Sequence, residues 1–110
     1  MTTEKTKREI TQALKSEAAQ GENAVITVIG KDRVGIIASV CSVLAGCNVN
    51  VLNISQTIMH SYFTMVMIVD ISQAATDFET LAKELEACGV TLGMQVKIQH
   101  EDIFNSMHRL

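Results

Sequence analysis

Gly30-Lys31-Asp32-Arg33-Val34-Gly35 is the stretch on which the reading of this chain turns. An apolar run, residues 24–29, precedes it, and an apolar run with helical spacing, residues 36–47, follows. The stretch reads as the joint between a strand that ends at Gly30 and a helix that starts near Arg33. Asp32 is placed as the N-cap, accepting hydrogen bonds from backbone N–H groups of the first turn. Gly35 then falls near the third helical position, where Gly costs roughly 1 kcal/mol relative to Ala. Two reasons would justify that cost. A missing side chain lets a small ligand or another backbone approach the helix N-terminus, whose free N–H groups and partial positive charge suit a carboxylate. Alternatively, it lets the helix pack closely on its strand. The stretch alone leaves both open.

Outward from this joint the periods are legible. In the first helix Ile36, Ile37, Val40, Val43, Leu44 and Cys47 form a wide core-facing stripe, and Ala45-Gly46 supplies a stop. Residues 49–59 read as a second strand, with Leu52, Ile54 and Ile58 on one face and Asn53, Ser55 and Thr57 on the other, the pattern of an edge. His60-Ser61 occupies the place of a tight hairpin, although neither residue is a strong turn former. Residues 62–71 are a third strand rich in aromatic and β-branched side chains. Thr76-Asp77-Phe78-Glu79 has the form of a capping box. The helix behind it turns Phe78, Leu81, Ala82, Leu85 and Cys88 inward, pairs Glu79 with Lys83, and ends at Gly89. Leu92, Met94, Val96 and Ile98 then alternate with Gly93, Gln95, Lys97 and Gln99 as a fourth strand. Residues 101–110 close with a short helix. Residues 2–20 are polar, with Ile10, Ala13, Leu14 and Ala18 as a thin apolar stripe, and read as a helical extension.

The order β-α-β-β-α-β predicts an α+β, ferredoxin-like fold: a four-stranded antiparallel sheet with two helices on one face, strands one and three central. A chain of 110 residues with 47% hydrophobic and 19% charged content supports one domain with a true core. Residues 1–22 are assigned to the extension and 23–110 to the domain. A net charge of −3 with scattered Lys and Arg excludes a nucleic-acid surface. No apolar run has the length of a membrane span. Cys41, Cys47 and Cys88 are odd in number, lie among apolar neighbours and lack zinc-ligand spacing, so they read as reduced thiols of a cytoplasmic protein without metal or other cofactor.

The combination Gly-x-Asp-Arg-x-Gly-Ile after a strand, the helix, and Asn50-Val51 at the head of the second strand resembles the ACT domain, a βαββαβ regulatory module that binds amino acids. The resemblance covers residues 24–99. Asn53-Ile54-Ser55-Gln56-Thr57 with Tyr62-Phe63-Thr64-Met65 is similar to short free-standing bacterial and archaeal ACT proteins related to the glycine cleavage system transcriptional repressor. It implies a ligand-contacting turn at Lys31, Asp32, Arg33, Val34, Gly35 and Ile36. It also implies that Asn50 reaches a ligand held by the neighbouring subunit of a dimer. Many ACT turns carry Pro before the Gly; Val34 stands there in this chain and keeps its N–H.

Other functions of this topology lack their residues here. An RNA-recognition module needs stacking aromatics on the first and third strands, but the first strand has none and aromatics are 4% of the chain. The Arg-bearing phosphate loop of acylphosphatase-like enzymes and the Cys-x-x-Cys of heavy-metal modules are absent. His60, His100 and His108 fall on separate elements and read as surface or edge residues. Two readings remain: a non-catalytic amino-acid sensor, or an interaction module with no small ligand. Both faces of the first and third strands are apolar, which predicts a homodimer or higher homo-oligomer, with the open sheet face covered by a partner or by the 2–20 helix.

Overall fold

A computed structural model describes residues 22–103. Its elements are β1 (Asn23–Lys31), α1 (Ile36–Gly46), β2 (Asn50–Met59), β3 (Tyr62–Asp70), α2 (Phe78–Leu92) and β4 (Met94–His100). The sheet is antiparallel throughout in the order β2-β3-β1-β4, so the apolar strands β1 and β3 are central and β2 and β4 are edges, as their sequences predict. The helix predicted for residues 2–20 lies outside the described residues. Of the helix predicted for 101–110, residues 101–103 are helical and the rest lies outside.

Register assigns the two faces. Ile26 pairs with Met67 and Ile98, and Val28 with Met65 and Val96. These residues, together with Ile36, Val40 and Leu44 of α1 and Leu81 and Leu85 of α2, form one core, which places both helices on the same side of the sheet. The alternate residues Val25, Thr27 and Ile29 face away from the helices, alongside Ile68, Val66 and Thr64.

The edge strand departs from simple alternation. A bulge between Val51 and Asn53 shifts the register, and Leu52 packs with Val25, Val66 and Ile68 on the face away from the helices. It therefore does not share a face with Ile54 and Ile58, which pair with Met67 and Phe63 on the helix side. A bulge adds one residue to one strand and inverts the alternation behind it.

His60 and Ser61 both adopt positive φ, 50° and 73°, so the β2–β3 hairpin is a two-residue turn of the type that usually holds Asn-Gly. A left-handed conformation costs an ordinary L-residue roughly 1–2 kcal/mol. Replacing His60-Ser61 by Asn-Gly should therefore raise stability by about 1–2 kcal/mol, read as a higher urea midpoint at unchanged slope.

Both helix ends differ from the sequence reading. The α2 N-cap is Asp77 rather than Thr76. Its carboxylate accepts from the Thr80 N–H at 2.8 Å, and the side-chain and backbone hydrogen bonds from Thr80 hold its pKa below the usual aspartate value. The Glu79–Lys83 ion pair forms at 3.4 Å on the exposed side. The helix does not stop at Gly89 but runs to Leu92, where Gly93 at φ 71° forms the left-handed C-cap. Helix α1 ends at Gly46, but the left-handed residue that turns the chain is Asn48, at φ 59°.

Candidate functional site

The joint between β1 and α1 is where the structure departs most from the expectation. Helix α1 starts at Ile36, not near Arg33, and Asp32 is not its N-cap. The N-cap is Gly35, at φ 89° and with no side-chain hydrogen bond. Gly35 is thus not a third helical position with a propensity cost; it holds a left-handed backbone that glycine adopts freely. A Cβ built on Gly35 would meet nothing within 4 Å. Close packing of helix on strand is therefore not the reason for this glycine, and the space above the helix start is open.

Each residue of the turn has a place. Lys31 ends β1 opposite Tyr62. The Asp32 N–H donates to the Ser61 carbonyl at 2.7 Å, which ties the loop to the strained hairpin. This contact uses the Asp32 backbone and leaves its exposed carboxylate out of any helix cap. Val34 is 98% exposed at the tip, while Ile36 is buried in the core and anchors the helix start. The first bond of the helix runs from the Ser39 N–H to the Gly35 carbonyl at 2.9 Å, so the preceding N–H groups of Ile36, Ile37 and Ala38 have no carbonyl of their own helix to bond. The two helix starts contrast. Helix α2 has Asp77 as cap and Glu79 in its first turn; α1 has neither a side-chain cap nor an acidic residue in its first turn. Among the described residues, neither a side-chain cap nor a first-turn carboxylate meets the partial positive charge at the start of α1.

Arg33 does something that the sequence reading missed. Its guanidinium donates to the carbonyl of Leu92, the last residue of α2, at 2.9 Å. A cation on a helix C-terminus is a favourable pairing. Arg33 thus clamps the turn to the far helix instead of pointing at the α1 N-terminus. Arg33→Ala should lower stability by about 1 kcal/mol, a charged hydrogen bond at a partly exposed site, measurable by thermal melting. No local sequence signal announces a contact between residues 59 positions apart.

Asn50 is not brought to the turn within the chain. It pairs with Asp70, which pairs with Asn23 at the start of β1, whereas the turn follows Lys31 at the other end. Eight residues of strand separate the two ends, about 26 Å at the usual rise.

The cysteines are free. Burial, with the Cys47 thiol donating to Glu84 at 3.3 Å, pushes the Cys47 pKa up, and burial does the same for Cys88. Both are thus poorer nucleophiles than a free thiol. His60 stands in the exposed hairpin turn, and His100 stacks on Phe78 with ring centres 4.1 Å apart; His108 lies outside the described residues. Among the described residues no cluster of His, Cys, Asp and Glu has metal-binding geometry, and no helix is long and apolar enough to cross a membrane.

Comparison with known proteins agrees with this architecture. The ACT domain family matches residues 22–99. A UPF0237 protein of Methanocaldococcus jannaschii is 59% identical over 86 residues, spanning 78% of this chain and 96% of that protein. An ACT domain protein from Streptococcus pneumoniae superposes with a TM-score of 0.67 at 43% identity, over 76% of this chain and 94% of that one. A chain described as a candidate glycine cleavage system transcriptional repressor superposes at 0.60 with 20% identity, over 72% of this chain and 45% of that one, a likeness of fold.

Proposed function

The chain belongs to the ACT domain family, whose members are regulatory ligand-binding modules, and from that premise we propose that it is a non-catalytic sensor binding a small amino acid where two copies meet. The observation that carries this reading is the N-terminus of α1, which has no side-chain cap, beneath the open space at Gly35. A ligand carboxylate fits there. Its donors are the N–H groups of Ile36, Ile37 and Ala38, two residues later than the Val34, Gly35 and Ile36 donors that an earlier helix start would give. The Asp32 carboxylate, released from capping, is the acceptor for the ligand ammonium. Lys31, Arg33 and Val34 shape the turn around it.

The second acceptor, Asn50, comes from a partner subunit. Strand β2 is an edge with Ile54 and Ile58 exposed on its helix side, and Ile37 of α1 is exposed near it. A two-fold mate laid against this edge covers the same residues from both copies. Antiparallel pairing of β2 with its copy sets the Asn50 end of one strand against the Met59 end of the other, next to the Asp32–Gly35 turn. The separation of Asn50 from its own turn, about 26 Å along the strands, is the geometry such sharing requires.

Isothermal titration against the proteinogenic amino acids, alongside sedimentation equilibrium, tests the reading. At least one small amino acid should bind with two equivalent sites per dimer. A dimer that binds none at millimolar concentration would instead mark an interaction module. A monomer would remove the shared site altogether.

A further inference from the structure

The sheet face away from the helices is covered unevenly. At the end where β1 begins, Asn23, Val25, Val66 and Ile68 are between 1% and 5% exposed, and Thr64, further along and opposite Ile29, is 7% exposed. Toward the other end of the same face Ile29 is 48%, Tyr62 53% and Met59 41% exposed. Among the described residues only Leu52 is a partly buried apolar neighbour of the Val25, Val66 and Ile68 cluster. Flanking positions on the edge strands are Asn53, Ser55, Lys97 and Gln99. A single layer of strands does not close over its own central side chains; a second layer is needed.

We propose that residues 2–20 supply this layer, lying across the open face as an amphipathic helix with Ile10 and Leu14 on Val25, Val66 and Ile68. The chain enters β1 at the end where burial is deepest, so residues 1–21 arrive where the cover is. A helix of this length runs about 28 Å, close to the roughly 30 Å of a nine-residue strand. Its stripe alternates Ile10 and Leu14 with Ala13 and Ala18, small enough for close approach to a sheet. The seven residues after Ile103 leave from the same end, and Asn23 donates a side-chain hydrogen bond to Glu101 there. Continued as a helix, those seven add about 10 Å, enough to reach β1 and β3 but short of the about 14 Å across three strand spacings to Leu52. The segment also lies outside the shared domain. The ACT match begins at residue 22, and the Methanocaldococcus relative covers 78% of this chain with 96% of its own length. The extension therefore closes in cis a face on which a second sheet could otherwise stack, and leaves the β2 edge for assembly.

Methyl-labelled full-length protein provides the test. Nuclear Overhauser contacts should connect the methyls of Ile10 and Leu14 with those of Val25, Val66 and Ile68. In a sample mixed from differently labelled chains, these contacts should remain within one chain. Contacts solely between chains would assign the cover to a second copy, and contacts from Phe104 or Met107 in place of Ile10 and Leu14 would assign it to the C-terminal segment; either overturns the proposal. The double variant Ile10→Asp, Leu14→Asp should keep the β-sheet circular dichroism and raise binding of a hydrophobic dye several-fold. No change in dye binding would also overturn it.

Discussion

Gly89→Ala should lower the stability of this domain by about 2 kcal/mol and its melting temperature by about 10 °C. Gly89 is buried in the last turns of α2, four residues before that helix ends at its Gly93 cap. A Cβ at this position would stand 2.7 Å from the Met94 carbonyl oxygen and 2.8 Å from Cγ2 of Val96. The first neighbour is backbone, and α2 is joined to β4 by a single residue, so the helix cannot shift away without dragging the strand. Overpacking of this kind costs about 1–3 kcal/mol, and sometimes more when the neighbour is rigid. Alanine returns roughly 1 kcal/mol through helix propensity, which leaves a substantial net loss. Gly46→Ala is the control. It lies at the end of α1 where a Cβ meets nothing within 4 Å, and it should be neutral to slightly stabilising. Equal melting temperatures for the two variants would show that α2 does not rest on β4 through this glycine.

Gly89 also shows where local sequence reading stops. A Gly near the end of a helical pattern reads as a C-cap, and Gly93, only four residues on, has the same identity. What separates them is the approach of β4, a tertiary contact that no local signal carries. The topology was legible because each element has its own period and because the first and third strands are apolar on both faces while the second is polar on one. The bulge at Leu52 was not, since an extra residue in one strand is visible only against the register of its partner. In the turn the backbone departs from the sequence reading. Asp32 has the chemistry of an N-cap, but the chain continues to Gly35 in a left-handed conformation before it turns helical. Arg33, which the resemblance places in the ligand-contacting turn, has its guanidinium on the C-terminus of α2. Charge and propensity are local, while the choice of partner is set by the fold.

The backbone at Gly35 decides how the proposed ligand site is best probed. A branched substitution such as Gly35→Val confounds two effects, because φ 89° would strain it by roughly 1–3 kcal/mol whether or not a ligand binds there. Asparagine tolerates left-handed backbone and finds open space at this position. Gly35→Asn should therefore melt within a few degrees of the parent, by roughly the effect of less than 1 kcal/mol. Its side-chain oxygen would stand over the N–H groups of Ile36, Ile37 and Ala38, where the ligand carboxylate is proposed to lie, and act as an internal competitor. Amino-acid affinity should fall by at least tenfold, since a carboxylate that loses its charged hydrogen bonds gives up about 1.5–3 kcal/mol for each. Titration calorimetry of the two proteins with the same amino acid reads both arms. If the parent binds and Gly35→Asn binds equally well at an unchanged melting temperature, the ligand is held elsewhere.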